Sequence, residues 1–147
     1  MRTTIIRAPL VFGPNVRGNF LFLLKWISYG LPLFLFDFKK KIIGVQNLVD
    51  FIIYCVKFSK LTTGTFHVYD KKDNFKYILM RISILMNKKI FFISVPKFFL
   101  FFLQKIILRK SSSLNFHLNN RKKIKWTPPI TLTMELKKTV EWFLNNK

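Results

Sequence analysis

A chain of 147 residues, half of them hydrophobic, is long enough for one domain with its own core. Its 26 basic and 6 acidic residues give a net charge of +20, a balance that points to an anionic partner (nucleic acid or a membrane surface) or to a coding bias. Lys, Ile, Phe and Asn, whose codons are A/T-rich, dominate the composition, and the lysines scatter in twos and threes instead of gathering on one periodic face. Coding bias is therefore the preferred explanation, and no nucleic-acid partner is expected. Cys55 is the single cysteine, so no internal disulfide is possible, and an inert buried thiol in a reducing cytosol is expected. His67 and His117 lie far apart with no second Cys, so no zinc spacing exists. The start of the chain lacks the order of features that marks a signal peptide. The expected location is cytoplasmic.

Thr3 to Ile6 is a short β-branched run, predicted as a strand packed on both faces, as in a parallel sheet. Pro9 removes a donor and disfavours helix at Ala8, and Gly13-Pro14 is a second breaker. In α/β sheets ligands sit beyond the carboxyl ends of strands, which makes this a candidate ligand loop. An ordinary strand-to-loop corner is the plain alternative. Asn19 to Tyr29 is predicted helical from the spacing of Phe20, Leu23, Leu24 and Ile27. Gly30 is its expected C-cap, and Pro32 prevents continuation. Leu33 to Phe36 is a short extended piece. Lys25, Gly30 and Pro32 interrupt the apolar run from Phe20 to Phe36, whereas a spanning helix needs roughly 20 uninterrupted apolar residues.

Lys39-Lys40-Lys41 leads into a predicted strand over Ile42 to Val45. Gln46-Asn47 opens a helix running to about Phe58, with Asn47 as N-cap and Leu48, Phe51, Ile52, Cys55 and Val56 as its buried stripe. Leu61 to Gly64 is a turn, Thr65 to Tyr69 a strand, and Asp70 to Asp73 a polar loop. Phe75, Ile78, Ile82 and Leu85 mark a helix closed by Asn87-Lys88-Lys89, and Ile90 to Val95 is a strand. Pro96 starts a helix that is apolar all round from Phe98 to Leu103, either buried or set against something greasy. Ser111-Ser112-Ser113 is a loop. Arg121 to Lys125 is a basic patch, best explained as a solvated helix end. Thr131 caps a last helix with the stripe Leu132, Leu136, Val140 and Phe143. No internal repeat or low-complexity linker is visible.

The stretch Arg7-Ala8-Pro9-Leu10-Val11-Phe12-Gly13-Pro14 resembles the Arg-Pro-x-x-Val-Tyr-Gly-Pro signature of extended short-chain dehydrogenases, the NAD-dependent nucleotide-sugar epimerase/dehydratase family. Ala8 precedes Pro9 here, and Phe12 stands where the family usually has Tyr. The likeness continues through Gly18-Asn19-Phe20, Asn47-Leu48-Val49-Asp50, Gly64-Thr65-Phe66, Trp126-Thr127-Pro128-Pro129 and Thr139-Val140-Glu141-Trp142. No single motif is specific, but their order and spacing together are. They cover essentially the whole chain and only the second half of such an enzyme.

The resemblance implies an α/β fold: the last strands and helices of a Rossmann-type doubly wound sheet, plus a small α/β substrate domain, with the N-terminal Rossmann half missing. Residues 1–147 would form a single fragment. Its terminal Rossmann strands, near 3–6 and 65–69, would be parallel neighbours, and the rest would be the substrate-binding part. The family's catalysis uses a Gly-rich turn that holds the pyrophosphate at a helix N-terminus, and a Tyr-x-x-x-Lys pair in which Lys and the oxidised nicotinamide lower the Tyr pKa. Neither is present. No three of the glycines at 13, 18, 30, 44 and 64 fit Gly-x-x-Gly-x-x-Gly. The residues four after Tyr29, Tyr54, Tyr69 and Tyr77 are Leu33, Phe58, Asp73 and Arg81. In the family both motifs lie upstream of the strand that opens this chain, so truncation explains their absence, and Met1 would be an internal Met. No catalytic residue and no metal site is expected. The cofactor implied is NAD or NADP, not bound by this fragment alone.

By the same resemblance Pro9, Leu10 and Val11 would pass beside the nicotinamide. Asn19 would approach the nucleotide diphosphate from a helix N-terminus, Lys40 stands at a family Arg position without the bidentate fork, and Arg109 matches a second phosphate-binding Arg. The plain alternatives are a helix cap for Asn19 and solvated charges for Lys40 and Arg109. Gly44 replaces a usual aromatic or His, Gln46 a usual Asp, and Lys125 a usual Gly. The function implied is that of the substrate-binding half of a UDP- or dTDP-hexose epimerase, dehydratase or reductase feeding polysaccharide synthesis, inactive alone and completed by a separately encoded Rossmann half. The rival is a non-catalytic basic membrane-surface or scaffolding protein. Peripheral contact with anionic lipid is expected to be weak and nonspecific.

Overall fold

A computed structural model describes residues 3–35, 39–59, 62–94 and 125–146. In chain order its elements are β1 (Thr4–Arg7), β2 (Leu10–Phe12), α1 (Gly18–Ser28), β3 (Leu33–Leu35), β4 (Lys39–Gly44), α2 (Val45–Lys57), β5 (Gly64–His67), β6 (Lys71–Asn74), α3 (Phe75–Leu85), β7 (Phe92–Ser94) and α4 (Leu132–Asn145). The described strands pair as β1-β5, β2-β4-β6 and β3-β7. β1 and β5 are parallel, Thr4 facing Gly64 and Arg7 facing His67, as the sequence led us to expect. Among the described residues β1 is not packed on both faces: its exposure alternates, with Ile6 half-buried and Ile5 48% exposed.

The Pro9 region also differs from the expected ligand loop. The chain is extended again by Leu10, because the bend at Ala8-Pro9 breaks one ladder without preventing β conformation. The strand changes partner there, leaving β5 and pairing in parallel with β4, Leu10 beside Ile42 and Val11 beside Ile43. Period-two alternation then sends neighbours to opposite sides of the sheet. Leu10, Phe12 and Ile42 join a core with α1, α3 and α4, contributed by Phe20, Leu24, Ile27, Ile78, Ile82, Leu136 and Val140. Val11 and Ile43 join a second cluster with Phe51, Cys55 and Val68.

Two polar stretches are strands. The three lysines at 39–41 lie inside β4, and the expected loop at Asp70 to Asp73 is largely β6, antiparallel to β4 with Lys40 facing Asp73. Backbone pairing at one border of the described sheet sustains these residues, so they carry no hydrophobic alternation. α2 begins at Val45 with Gly44 as N-cap, so Asn47 is an interior residue and not the cap. Its buried side is narrower than the expected stripe. Asn47, Phe51 and Cys55 are buried, whereas Val49, Ile52, Ile53 and Val56 form an exposed apolar row at helical spacing, Val56 being 73% exposed.

The remaining helix ends follow their sequences. Gly30, at φ 67°, continues from α1 with its amide donating to Ile27 O. Asn87, at φ 51°, does the same after α3, with Lys88 N donating to Ser83 O. Thr131 Oγ1 accepts from Met134 N at the start of α4, whose stripe Leu132, Leu136, Val140 and Phe143 is buried as expected. Among the described residues no helix is long and apolar enough to cross a membrane. The apolar helix expected after Pro96, the serine run, most of the basic patch at Arg121 to Lys125, and Arg109 lie outside the described residues.

Candidate functional site

Of the residues singled out by sequence, Pro9 to Val11 and Lys40 lie at the entry to β2, Asn19 follows its far end, and Arg109 is outside the described residues. Pro9 is exposed, and Leu10 and Val11 are half-buried. At the far end of β2 the Phe12 ring stacks on Phe20, with centroids 5.4 Å apart, which draws the first turn of α1 back onto the strand. Gly13 makes the intervening turn tight: a Cβ there would strike Val45 Cγ1 at the start of α2. Asn15 at φ 60° and Gly18 at φ 65° complete the turn. Asn19 is exposed in the first turn of α1. It is not the cap, since Arg17 holds that position without a side-chain hydrogen bond. A helix start with an outward amide favours an anion.

Lys40 is exposed in β4, two residues before Ile42, the partner of Leu10, so it stands at the Pro9 end of β2. Its Nζ lies 5.1 Å from the centre of the Phe75 ring, a cation–π contact. Pro9 to Val11 and Lys40 thus belong to neighbouring strands. Asn19 follows the opposite end of β2.

Sequence reasoning missed a buried polar cluster at the carboxyl end of β4 and the start of α2. Asn47, fully buried, donates through Nδ2 to Asp70 Oδ1 (2.9 Å) and to Ile130 O (2.8 Å), and its Oδ1 accepts from Ile130 N (3.0 Å). Asp70 Oδ2 accepts from Gly44 N at 2.7 Å. Asp50 Oδ2 accepts from Trp126 Nε1 at 2.7 Å, while the Trp126 ring meets Phe51 edge-on at 5.0 Å. These contacts tie the segment before α4 across α2.

Glu135 completes the cluster. It is fully buried, and neither carboxylate oxygen has a hydrogen-bond partner among the described residues. It covers Gly44, where a Cβ would stand 2.5 Å from Glu135 Cδ. Burial raises its pKa. The Asn47 amide opposes that, Asp70 adds to it, and Lys138 and the Gln46 amide oppose it. Asp70 is likewise raised by burial, with the Gly44 amide and the Asn47 side chain pulling the other way. The amino end of α2 is therefore taken by the chain's own carboxylate. The signal for this residue was in the sequence: Glu135 falls three positions after Leu132, on the face of α4 that the apolar stripe marks as buried.

No protein-family model matches the chain. A curated UDP-glucose 4-epimerase from Vibrio cholerae is 32% identical over 160 residues, covering 100% of this chain and 49% of that protein. A crystal structure of UDP-glucose 4-epimerase with UDP-glucose from Thermotoga maritima superposes with a TM-score of 0.65 at 16% identity, covering 99% of this chain and 47% of that one. The chain belongs to the NAD-dependent epimerase/dehydratase family. It spans about half the length of the relatives it matches, corresponds to the carboxyl-terminal half, and shares the α/β, Rossmann-type architecture. A dTDP-glucose 4,6-dehydratase from Bacillus anthracis, in complex with NAD, has the same fold, with a TM-score of 0.64 at 14% identity over 97% of this chain and 45% of that one.

Tested against a nicotinamide dinucleotide, the described residues offer one exposed strand entry, at Pro9. The chain has no Gly-rich turn to cradle a pyrophosphate and no Tyr-x-x-x-Lys pair. These residues alone do not make a dinucleotide site.

Proposed function

We propose that this chain supplies the substrate-side half of a nucleotide-sugar epimerase or dehydratase and works only with a complementary Rossmann half. In this reading β1 and β5 are terminal strands of the shared sheet, and the rest of the chain holds the substrate. Asn19, Lys40 and Arg109 bear the nucleotide diphosphate of a UDP- or dTDP-hexose, and Pro9, Leu10 and Val11 line the nicotinamide side. Lys40 gives a point charge where a guanidinium would bind phosphate through two parallel bonds, so it suits the diphosphate with less geometric control. Tyrosine base, assisting lysine and pyrophosphate cradle come from the complementary half, and NAD or NADP is held there. The setting is cytoplasmic synthesis of surface polysaccharide.

The observation that carries this reading is the pairing of half-length coverage with an unburied interior. The chain aligns over its full length with 49% of the Vibrio cholerae epimerase, and it leaves apolar side chains exposed where a sheet enzyme would bury them. Ile5 lies on β1, and Val49, Ile52, Ile53 and Val56 line one side of α2. A partner covering that row stabilises the folded chain by linkage, because it binds only the folded form. The test is co-expression with the upstream half of a related epimerase, followed by a UDP-hexose turnover assay. Recovery of turnover in the pair, lost on Asn19→Ala with Lys40→Ala, supports the reading. A folded, soluble pair without turnover refutes it.

A further inference from the structure

A groove of 330 Å³ opens between α1 and α3, away from β1 and α2. Leu23, Leu33 and Leu79 line it together with Phe22, Trp26 and Phe75. Its shape is held from within. The Phe22 and Trp26 rings are 5.3 Å apart, Trp26 Nε1 donates to Pro32 O at 2.8 Å, and Leu33 N donates to Phe91 O at 2.8 Å. Phe22 on the groove is 61% exposed, and Phe91, whose carbonyl accepts from Leu33, is 67% exposed. Exposed aromatics beside an apolar groove are suited to an interaction surface.

The segments that supply the groove's lining are basic. The stretches Gly18 to Leu35 and Phe75 to Ser94 carry Lys25, Lys76, Arg81, Lys88 and Lys89 and not one acidic residue. Lys25 follows Phe22 by three positions and precedes Trp26 on α1, so all three share a helix face. Lys76 is half-buried, and its Nζ lies 5.6 Å from the centre of the Phe92 ring. Outward aromatics beside lysines, with no acid among them, match the two layers of an anionic bilayer surface: acyl boundary below, headgroup charge above.

Against the weak and nonspecific lipid contact expected from composition, we propose that the groove between α1 and α3 is a docking surface for an anionic lipid bilayer. Phe22 and Phe91 enter the headgroup region, and Lys25, Lys76, Lys88 and Lys89 face the lipid charges. The site is independent of the substrate-side reading, since it uses none of Pro9 to Val11, Asn19 and Lys40.

The test is sedimentation of the full chain with vesicles of phosphatidylcholine alone or mixed with phosphatidylglycerol. Binding to the mixed vesicles is expected, falling as salt shortens the screening length. Lys25→Glu with Lys76→Glu, and separately Phe22→Ser with Phe91→Ser, are each expected to weaken it by about tenfold. Lys57→Glu with Lys125→Glu changes net charge equally, elsewhere on the molecule, and is expected to have little effect. Circular dichroism checks that each variant is folded. Equal loss from both charge-reversed pairs would reduce the effect to net charge and overturn the proposal. Binding indifferent to Phe22 and Phe91 would overturn it too, as would self-association that depends on them in place of lipid binding.

Discussion

Gly44 and Glu135 are coupled by contact, and the coupling has a calculable size. A Cβ at position 44 would stand 2.5 Å from Glu135 Cδ, 2.6 Å from Cγ and 2.9 Å from Oε1. Carbon atoms rest roughly 3.5–4.0 Å apart, so the distal half of Glu135 must retreat by about 1 Å. Glu135 is fully buried, and a retreat displaces a packed neighbour. Gly44→Ala is therefore expected to cost about 1–3 kcal/mol, the usual range for overpacking a core. Glu135→Ala removes the obstacle together with a carboxylate that has no partner among the described residues. On that background Gly44→Ala should be neutral within about 0.5 kcal/mol. Thermal or urea unfolding of the four members of the cycle, followed by circular dichroism, measures the coupling energy. Single effects that add in the double variant, within about 0.5 kcal/mol, would refute the contact argument.

Asn47→Ala removes the bonds to Asp70 and to both backbone groups of Ile130, and is expected to cost about 3 kcal/mol or more, with loss of hydrogen-exchange protection at the Ile130 amide. Trp126→Phe keeps the edge contact with Phe51 but loses the bond to Asp50, which should lower stability by about 1 kcal/mol in denaturant titrations. The raised pKa of Glu135 means that the folded chain keeps a proton the unfolded chain has released. This contribution is fully present below the ordinary carboxylate range, is lost as pH rises toward the folded-state value, and is flat above it. Glu135→Gln should remove that contribution from a stability–pH profile, leaving the slope of the same sign from Asp70.

Much of the fold was legible because its signals are local. The β-branched run at Thr3 to Ile6, the cap at Thr131, the left-handed exit at Gly30 and the spacing of Leu132, Leu136, Val140 and Phe143 each follow from a few residues. The strand at Lys71 to Asn74 was not legible, because its pairing with β4 is made by backbone groups that lysine and aspartate supply as well as valine does. The α2 stripe was misjudged for a related reason. Leu48 to Val56 is apolar on more than one side, and periodicity cannot distinguish a side buried within the chain from a side left bare. For the candidate site, residue patterns alone offered the loop at Pro9 to Pro14, and the roles of individual residues came through resemblance. Asn19 and Lys40 carry no chemistry that composition or spacing singles out. The buried cluster escaped because its partners, Asn47, Asp70, Ile130 and Glu135, meet only in three dimensions.

The claim at the centre of this account is that the chain holds a substrate side and lacks a cofactor side. Calorimetric titration with NAD, of the chain alone and of the chain joined by an upstream epimerase half with its Gly-rich turn, tests it most directly. The account predicts no saturable heat for the chain alone and stoichiometric binding for the pair. Stoichiometric NAD binding by the chain alone would contradict it.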